Sequence, residues 1–179
     1  MTEYDAVVYD LDGTLVRLDV DWNAVAREVR AIYREAGVEP PAEDAWTLLT
    51  GAARIDRRED VESVIAAHEC DGAETADRLP LSDHVVDRSI PVGICSLNCE
   101  SACRIALERH GLLESVERVI GRDSVPAMKP DPEPLLTAID ALPVSHENVL
   151  FVGDSGSDAT TAERAGVSFQ YVEDVLDTE

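Results

Sequence analysis

The segment formed by residues 6–14 constrains the fold of this chain more than any other. An apolar run at 6–9 (AVVY) leads directly into residues 10–14 (DLDGT). The run predicts a buried strand near the start of the chain, and the Asp-Gly pair predicts a turn at its end. Asp10 and Asp12 are therefore expected at the C-terminal edge of a strand, where ligands bind in open α/β sheets.

A second acidic turn lies far along the chain. The apolar run at 148–152 (NVLFV) leads into residues 153–158 (GDSGSD), which contain Asp154 and Asp158. Two strands that both end in acid-rich glycine turns predict one metal site assembled from distant segments. Lys129 lies between the two turns and is the only lysine among fifteen basic residues. The chain therefore keeps a single ammonium group although it otherwise uses arginine.

Strand-like and helical segments alternate along much of the chain. The strand-like runs lie at 5–10, 91–96, 116–121, 148–153 and 167–172. Helical spacing of apolar residues recurs at 100–110, 132–141 and 157–165. This alternation predicts an α/β fold with a Rossmann-like parallel sheet and helices on both of its faces. Right-handed crossovers then bring the C-terminal end of every strand to one edge of the sheet.

The stretch from 17 to 84 departs from this alternation, because it contains no convincing strand. Apolar residues from Trp22 onward keep helical spacing, and Gly37 is placed to end that helix. Two shorter helices are expected in the second half of the stretch. We predict that residues 17–84 form a small helical cap inserted after the first strand, while residues 1–16 and 85–179 form the core.

The chain is strongly acidic. Its formal net charge is −22 at pH 7, yet its hydrophobic fraction of 45% argues against disorder. No basic cluster is available to bind phosphates, so nucleic acid and anionic membranes are not expected as partners. An acidic, lysine-poor surface stays soluble at high salt, where self-repulsion is screened. We favour a halophilic protein over an ordinary acidic cytosolic one.

Neither export nor membrane insertion is predicted. The N-terminus runs straight into a strand without a signal peptide, and no apolar run approaches the length of a membrane span. We therefore expect a cytoplasmic protein. For its oligomeric state we expect either a monomer or a homodimer.

Four cysteines offer a possible second metal site. Cys95, Cys99 and Cys103 recur at every fourth residue, and Cys70 lies apart from them. Their spacing matches no familiar metal-binding run, and Cys95 falls in a predicted strand. Buried free thiols are the favoured interpretation over an iron–sulfur or zinc cluster.

Four short motifs in this chain resemble those of the haloacid dehalogenase (HAD) superfamily, in its phosphatase branch with a helical cap. Residues 10–14 match the first motif, D-x-D-G-T, and Ser96 at the end of an apolar strand matches the second. Lys129, followed by Pro130, matches the third, and residues 153–158 match the acidic turn of the fourth. The motifs occur in the expected order and, with the cap, cover nearly the whole chain.

The resemblance implies hydrolysis of a small phosphorylated metabolite. Asp10 would attack phosphorus and form an aspartyl-phosphate. Asp12 would protonate the leaving oxygen and then activate the water that cleaves the intermediate. Ser96 and Lys129 would contact the phosphoryl oxygens, where neutralisation of charge carries most of the catalysis.

The same resemblance implies Mg²⁺ as the cofactor. By the family pattern the ion contacts the carboxylates of Asp10 and Asp154 and the backbone carbonyl of Asp12. Asp158 would support the ion directly or through water. Hard carboxylate oxygens suit this cation, and a group of acids near a dianionic phosphate requires one.

Several assignments stay open at this point. Asn98 fits either a substrate ligand or a helix cap, and Asp158 fits either a metal ligand or the first turn of a helix. Arg54 fits a substrate ligand, but the arginines in its segment also fit ion pairs with neighbouring acids on an exposed helix. A phosphomutase is an alternative function, whereas a response-regulator receiver domain has no place for the insertion at 17–84.

Overall fold

The computed structural model describes residues 4–41, 44–87 and 89–177. Its strands are β1 (Ala6–Tyr9), β2 (Val16–Arg17), β3 (Asp77–Arg78), β4 (Val92–Cys95), β5 (Arg118–Ile120), β6 (Val149–Gly153) and β7 (Ser168–Tyr171). Its α-helices are α1 (Trp22–Glu35), α2 (Ala45–Gly51), α3 (Arg58–Glu74), α4 (Ser82–Asp87), α5 (Glu100–Arg109), α6 (Glu133–Asp140), α7 (Gly156–Ala165) and α8 (Val172–Leu176). The ends of the predicted core (1–3 and 178–179), its residue 88, and residues 42–43 of the predicted cap lie outside the described residues.

Five parallel strands form the central sheet in the order β5-β4-β1-β6-β7. These strands correspond to the five strand-like runs of the sequence, which confirms the predicted parallel α/β fold. β1 lies at the centre, between β4 and β6, and the strand order reverses there. Ligands bind outside the carboxyl ends of the strands at such a switch point.

The three central strands of the sheet, β4, β1 and β6, are buried on both faces. Side chains alternate along β1, so Val7 and Tyr9 pack in one apolar cluster while Ala6 and Val8 pack in another. Helix α5 contributes to the first cluster, and helices α6 and α7 contribute to the second. A parallel strand that is apolar on both faces appears in the sequence as a continuous hydrophobic run. For this reason β1 could be predicted from the sequence.

Helices α1, α2 and α3 share an apolar cluster of their own. Val25, Val29 and Tyr33 of α1 pack there with Leu48 of α2 and Ile65 of α3. Helix α3 also packs against α5 of the core. The predicted cap therefore has its own interior and is joined to the core through α3. None of the described helices combines the length and the apolar character needed to cross a membrane.

The first helix of the predicted cap begins and ends as the sequence indicated. Asp21 precedes α1, and its carboxylate accepts hydrogen bonds from the backbone N–H groups of Asn23 and Ala24, both at 3.0 Å. These bonds satisfy two of the donors that a helix start leaves free. Gly37 follows the helix with φ +74°, a left-handed conformation that glycine adopts without strain.

The expectation that residues 17–84 contain no strand is wrong at both ends of that range. β2 and β3 pair antiparallel, with Val16 opposite Arg78 and Arg17 opposite Asp77. The pair lies where the chain leaves the predicted core for the predicted cap and where it returns. Each strand has only two residues, too few for alternation to register in the sequence.

The cysteines are packing residues in the described structure. Cys95, Cys99 and Cys103 are buried, and Cys70 is partly buried. Burial raises the pKa of Cys95 to about 12, and it raises the pKa of the other three thiols as well. Buried thiols of raised pKa pack as small apolar side chains and are unreactive, in line with the predicted free, buried state.

Candidate active site

Three neighbouring strands deliver polar side chains to one edge of the sheet. Asp10 directly follows β1, Ser96 directly follows β4, and Asp154 directly follows β6. Because these strands are parallel and adjacent, their carboxyl ends meet at the same edge. The motifs that are far apart in the sequence therefore share one site.

Lys129 lies at the centre of this site. Its Nζ donates to Asp10 Oδ1 at 2.8 Å, to Asp158 Oδ1 at 2.5 Å and to the carbonyl oxygen of Cys95 at 3.1 Å. Burial by itself lowers the pKa of Lys129, but the charges of Asp10 and Asp158 outweigh it and raise the pKa well above its usual range. The ammonium group is therefore a fixed positive charge between two carboxylates.

Asp158 lies in the first turn of α7, as one of its two open interpretations expected, and it also contacts Lys129. Its Oδ2 accepts from the backbone N–H of Ser155 at 3.1 Å, and its own backbone N–H donates to Ser155 Oγ at 3.2 Å, which together form a capping box at the start of α7. The Ser155 hydroxyl also donates to Oδ2 at 2.6 Å. Its Oδ1 faces Lys129. The capping box holds the Asp158 carboxylate in place, and the second carboxylate oxygen contacts Lys129 in the site.

Three acids form the one group of candidate metal ligands found among the described residues. Asp10, Asp154 and Asp158 each offer an oxygen within 4.8 Å of the others. Burial raises the pKa of Asp10 to about 7, although the charge of Lys129 opposes the shift. Burial, together with the charge of Asp158, also raises the pKa of Asp154. A divalent cation would stabilise the charged forms of these groups, so the donor set fits Mg²⁺.

Gly13 lets the fourth motif approach the first. Its backbone has φ +85°, and a Cβ at this position would lie 2.1 Å from Oδ2 of Asp154. Only glycine tolerates both the left-handed backbone and this contact. The Asp-Gly turn that the sequence predicted therefore also makes room for a candidate metal ligand.

Asp12 lies beside the cluster rather than within it. Its Oδ1 accepts from the backbone N–H of Leu18 at 2.9 Å, which orients the carboxyl group. Burial raises the pKa of Asp12 above its usual value, with this hydrogen bond acting in the opposite direction. A carboxyl group of raised pKa next to a reacting centre suits proton transfer.

A cavity of about 220 Å³ opens above the cluster. Its core side is lined by Asp10, Asp12, Ser96, Leu97, Asn98, Lys129, Asp154 and Ser155. The predicted cap supplies Trp22 from α1 and Trp46 from α2, whose ring centroids are 5.5 Å apart. The site is therefore a small pocket with charged walls on one side and two indoles on the other.

Comparison with known proteins identifies the family of this fold. A model of the haloacid dehalogenase-like hydrolase family matches residues 4–166. The chain belongs to this family. It is similar to the phosphoglycolate phosphatase of Cereibacter sphaeroides, with 36% identity over 91% of this chain and 82% of that protein. It is also similar to the N-acetylmuramic acid 6-phosphate phosphatase of Pseudomonas aeruginosa, with 28% identity over 93% of this chain and 83% of that protein. The chain is thus a phosphatase of the HAD family.

Solved structures agree with this assignment. A Lactobacillus plantarum protein proposed to be a phosphoglycolate phosphatase is 29% identical, with a TM-score of 0.70 over 99% of this chain and 89% of that one. A HAD-superfamily hydrolase of subfamily IA from Geobacter sulfurreducens shares the fold at 22% identity, with a TM-score of 0.65 over 99% of this chain and 100% of that one. The HAD fold therefore extends through both the core and the predicted cap.

Asn98 does not act as a helix cap in this HAD phosphatase. Its Oδ1 accepts from the Ser96 hydroxyl at 3.1 Å, and its Nδ2 donates to Glu69 at 3.2 Å. The Glu69 carboxylate accepts a hydrogen bond at 3.0 Å from the backbone N–H of Cys99, which lies at the start of α5. The helix-cap alternative is therefore wrong, because a carboxylate from α3 occupies that place and the amide of Asn98 is bound within the site.

Arg54 lies away from the cavity. It is exposed in the short 3-10 helix at Ala52–Ile55, and it is not among the residues that line the pocket of the HAD phosphatase. In the same segment Arg57 pairs with Asp60 at 2.8 Å on the exposed surface, as the ion-pair alternative expected. A contact between Arg54 and substrate stays a prediction.

Sequence reasoning missed four residues near the site: Trp22, Trp46, Glu69 and Arg122. The chain contains only two tryptophans, and both line the pocket. That rarity was the one signal available for them. Glu69 and Arg122 are buried charges that form a bidentate pair, but 53 positions separate them and neither lies in a motif. Only the packing of α3 on the core brings them together.

Proposed function

We propose that this protein is a Mg²⁺-dependent phosphatase that hydrolyses small phosphate monoesters through an aspartyl-phosphate on Asp10. The observation that carries the proposal is the position of Lys129, with Nζ at 2.8 Å from Asp10 and 2.5 Å from Asp158. A fixed cation beside a strand-end carboxylate can neutralise a phosphoryl group while that carboxylate attacks it.

In this proposal Asp10 and Asp12 divide the covalent and proton-transfer chemistry. Asp10 Oδ attacks phosphorus, a P–O bond forms to the carboxylate, and the bond to the leaving oxygen breaks. Asp12, whose pKa is raised by burial, donates the proton to that leaving oxygen. It then takes a proton from the water that attacks phosphorus and releases phosphate from Asp10.

The remaining residues orient the phosphoryl group. Lys129 donates to its oxygens from the buried side of the pocket. The Ser96 hydroxyl, at the end of β4, has a single proton, which points to Asn98 Oδ1 in this structure and turns to the phosphoryl oxygens when they bind. Mg²⁺, held by Asp10, Asp154 and the Asp12 backbone carbonyl, would supply charge neutralisation at the phosphoryl oxygens. Asp158 acts on the site mainly through Lys129, because its other oxygen is used by the capping box.

Residues 17–84 act in this proposal as a cap that limits the substrate to small molecules. The pocket of about 220 Å³ has room for a phosphoryl group and a compact leaving group beneath Trp22 and Trp46. A folded phosphoprotein has no access to Asp10 through such an opening. Asp154 is exposed, so water reaches the pocket, and this favours hydrolysis over the phosphomutase alternative.

The proposal is tested by a phosphatase screen with Mg²⁺ in high KCl. The first substrates follow from the relatives: 2-phosphoglycolate, pyrophosphate and N-acetylmuramic acid 6-phosphate, with p-nitrophenyl phosphate as a generic probe. We expect turnover of at least one monoester, complete loss on treatment with EDTA, and recovery on addition of Mg²⁺. Full activity in a rigorously metal-free preparation, or efficient dephosphorylation of a folded phosphoprotein, would contradict the proposal.

A further inference from the structure

A buried ion pair joins the predicted cap to the core. Glu69 of α3 is fully buried, and Arg122, two positions after the end of β5, is 5% exposed. Arg122 Nη1 donates to Glu69 Oε1 at 2.7 Å, and Nη2 donates to Glu69 Oε2 at 2.9 Å. Two parallel bonds of this kind fix the relative orientation of both side chains.

The same pair binds the segment at 96–99 that carries the phosphate-contacting hydroxyl, called here the phosphate loop. Arg122 Nη1 also donates to the carbonyl oxygen of Leu97 at 2.6 Å. Glu69 accepts from the backbone N–H of Cys99 at 3.0 Å and from Nδ2 of Asn98 at 3.2 Å. Three consecutive residues of the loop are thus bound to a pair that spans the cap and the core.

Asn98 extends this contact to Ser96. An ionised carboxylate only accepts hydrogen bonds, so Glu69 selects the orientation of the Asn98 amide that points Nδ2 toward α3. The amide oxygen then faces Ser96, whose Oγ donates to it at 3.1 Å and accepts from the Asn98 backbone N–H at 3.2 Å. The place of the Ser96 hydroxyl therefore depends on a carboxylate that belongs to the cap.

We propose that Glu69 and Arg122 are positioning residues that hold the phosphate loop in register with Asp10, so that Ser96 meets the phosphoryl group only while α3 is seated on the core. This inference rests on the proposed phosphatase function. Arg122 also links the phosphate loop to the pocket wall, because its guanidinium lies 5.2 Å from the ring centroid of Trp46.

Stability alone gives little reason for such a pair at this place. Desolvation of two buried charges offsets most of their attraction, and apolar side chains of similar size often stabilise a protein as well. What the pair supplies beyond packing is a set of directed bonds to the phosphate loop.

Glu62 provides a matched control within the same helix. It also lies on α3 and pairs with Arg122, with its Oε1 2.6 Å from Nη2. Its side chain is 26% exposed, and among the described residues it makes no hydrogen bond to the phosphate loop. Neutralising either carboxylate removes one negatively charged partner of Arg122, but only Glu69 also binds the phosphate loop.

The first test compares E69Q with E62Q in steady-state hydrolysis of p-nitrophenyl phosphate and in inhibition by inorganic phosphate. E69Q loses a charge-assisted contact and is expected to lower kcat/KM and to weaken phosphate inhibition, each by about tenfold or more. E62Q is expected to lose clearly less than E69Q, because Glu62 contacts the guanidinium of Arg122 but makes no hydrogen bond to the phosphate loop among the described residues. Fluorescence of Trp22 and Trp46 on phosphate titration reports the same binding without turnover. Equal effects of the two variants would overturn the inference.

A double-mutant cycle with S96A separates positioning from a structural effect. If Glu69 acts through Ser96, E69Q costs little in a background that already lacks the hydroxyl, so the two effects are strongly non-additive. If Glu69 only stabilises the fold, the losses multiply in S96A as they do in wild type. Multiplying losses would therefore also overturn the inference.

A second variant keeps the test open if E69Q does not fold. R122K retains the positive charge but cannot bind Glu69 in two places and Leu97 at once. It is expected to weaken phosphate inhibition and to show the same non-additivity with S96A, and wild-type phosphate affinity in R122K would contradict the proposal. Failure of the proposed function would give a different result, because the wild-type protein itself would then hydrolyse no phosphate ester.

Discussion

The two walls of the pocket differ in how they are built. On the core side, Asp10, Ser96 and Asp154 directly follow three adjacent strands, so the sheet fixes their places. On the cap side, Trp22 and Trp46 come from two helices whose approach to the sheet depends on packing. The sheet thus fixes the core side, which carries the phosphoryl chemistry in the proposed reaction, while the cap side meets the leaving group in that proposal. Substitutions on the two sides should therefore have different kinetic consequences.

The largest effect is expected from Asp10→Asn on the core side. An amide cannot act as the nucleophile, so turnover of p-nitrophenyl phosphate should fall by at least about a thousandfold. The fold should persist, because the Asn amide oxygen can still accept from Lys129. Asp5→Asn is the control, since Asp5 is an exposed acid at the other end of β1. Substantial activity in Asp10→Asn, measured beside an unchanged circular dichroism spectrum, would remove Asp10 from its assigned role.

The next effect concerns the metal, whose proposed ligands all lie on the core side. Saturating Mg²⁺ should raise the Tm of the wild-type protein by about 5 °C or more, because a ligand that binds only the folded state stabilises it by mass action. Asp154→Asn should abolish that rise while leaving the metal-free Tm close to wild type, since Asp154 is exposed. The readout is a thermal melt with and without Mg²⁺. An equal Mg²⁺ response in the variant would place the ion elsewhere.

A smaller, kinetic effect distinguishes the residues on the cap side. Trp22→Ala should raise KM for p-nitrophenyl phosphate by about fivefold, which corresponds to about 1 kcal/mol of lost aromatic contact. Arg54→Ala should leave KM for this substrate unchanged, because its aryl group carries no anion for Arg54 to bind and Arg54 lies outside the pocket lining. A larger effect of Arg54→Ala on the natural substrate than on p-nitrophenyl phosphate would confirm the sequence-based prediction that Arg54 binds the non-reacting part of the substrate. Equal effects on both substrates would leave Arg54 without that role.

The smallest effect is expected from salt, which should act on core and cap alike. With a formal net charge of −22, surface carboxylates repel one another, and this repulsion is screened as the Debye length falls from about 10 Å at 0.1 M to about 3 Å at 1 M. The Tm should rise by a few degrees over this range in a single transition. A Tm that stays flat or falls in molar KCl would contradict adaptation to high salt.

The sequence predicted which residues meet on the core side for a physical reason. Each motif residue lies within a few positions of a strand whose two apolar faces make it visible, and parallel strands carry their ends to one edge. Lys129 is not at a strand end, but its status as the only lysine made it conspicuous. Local signals were enough because local structure fixes these positions.

The cap side was harder to predict because no local rule governs it. The place of Trp46 and Glu69 follows from how α2 and α3 pack, and helical spacing says only which face of a helix is apolar. The helix-cap interpretation of Asn98 failed for the same reason, since the competing acceptor, Glu69, comes from α3. The β2–β3 pair was missed because two-residue strands carry no periodic signal.

The most direct test of the central claim is a search for phosphate covalently bound to Asp10. Asp12→Asn should form the aspartyl-phosphate but hydrolyse it slowly, because the proposed base for the attacking water is lost. The variant would be mixed with p-nitrophenyl phosphate and Mg²⁺, quenched in acid, digested and examined by mass spectrometry. We expect one phosphoryl group on the peptide that contains Asp10, and none when EDTA is added first. A phosphoryl group on any other residue, or none at all while the leaving group is released at the wild-type rate, would contradict it.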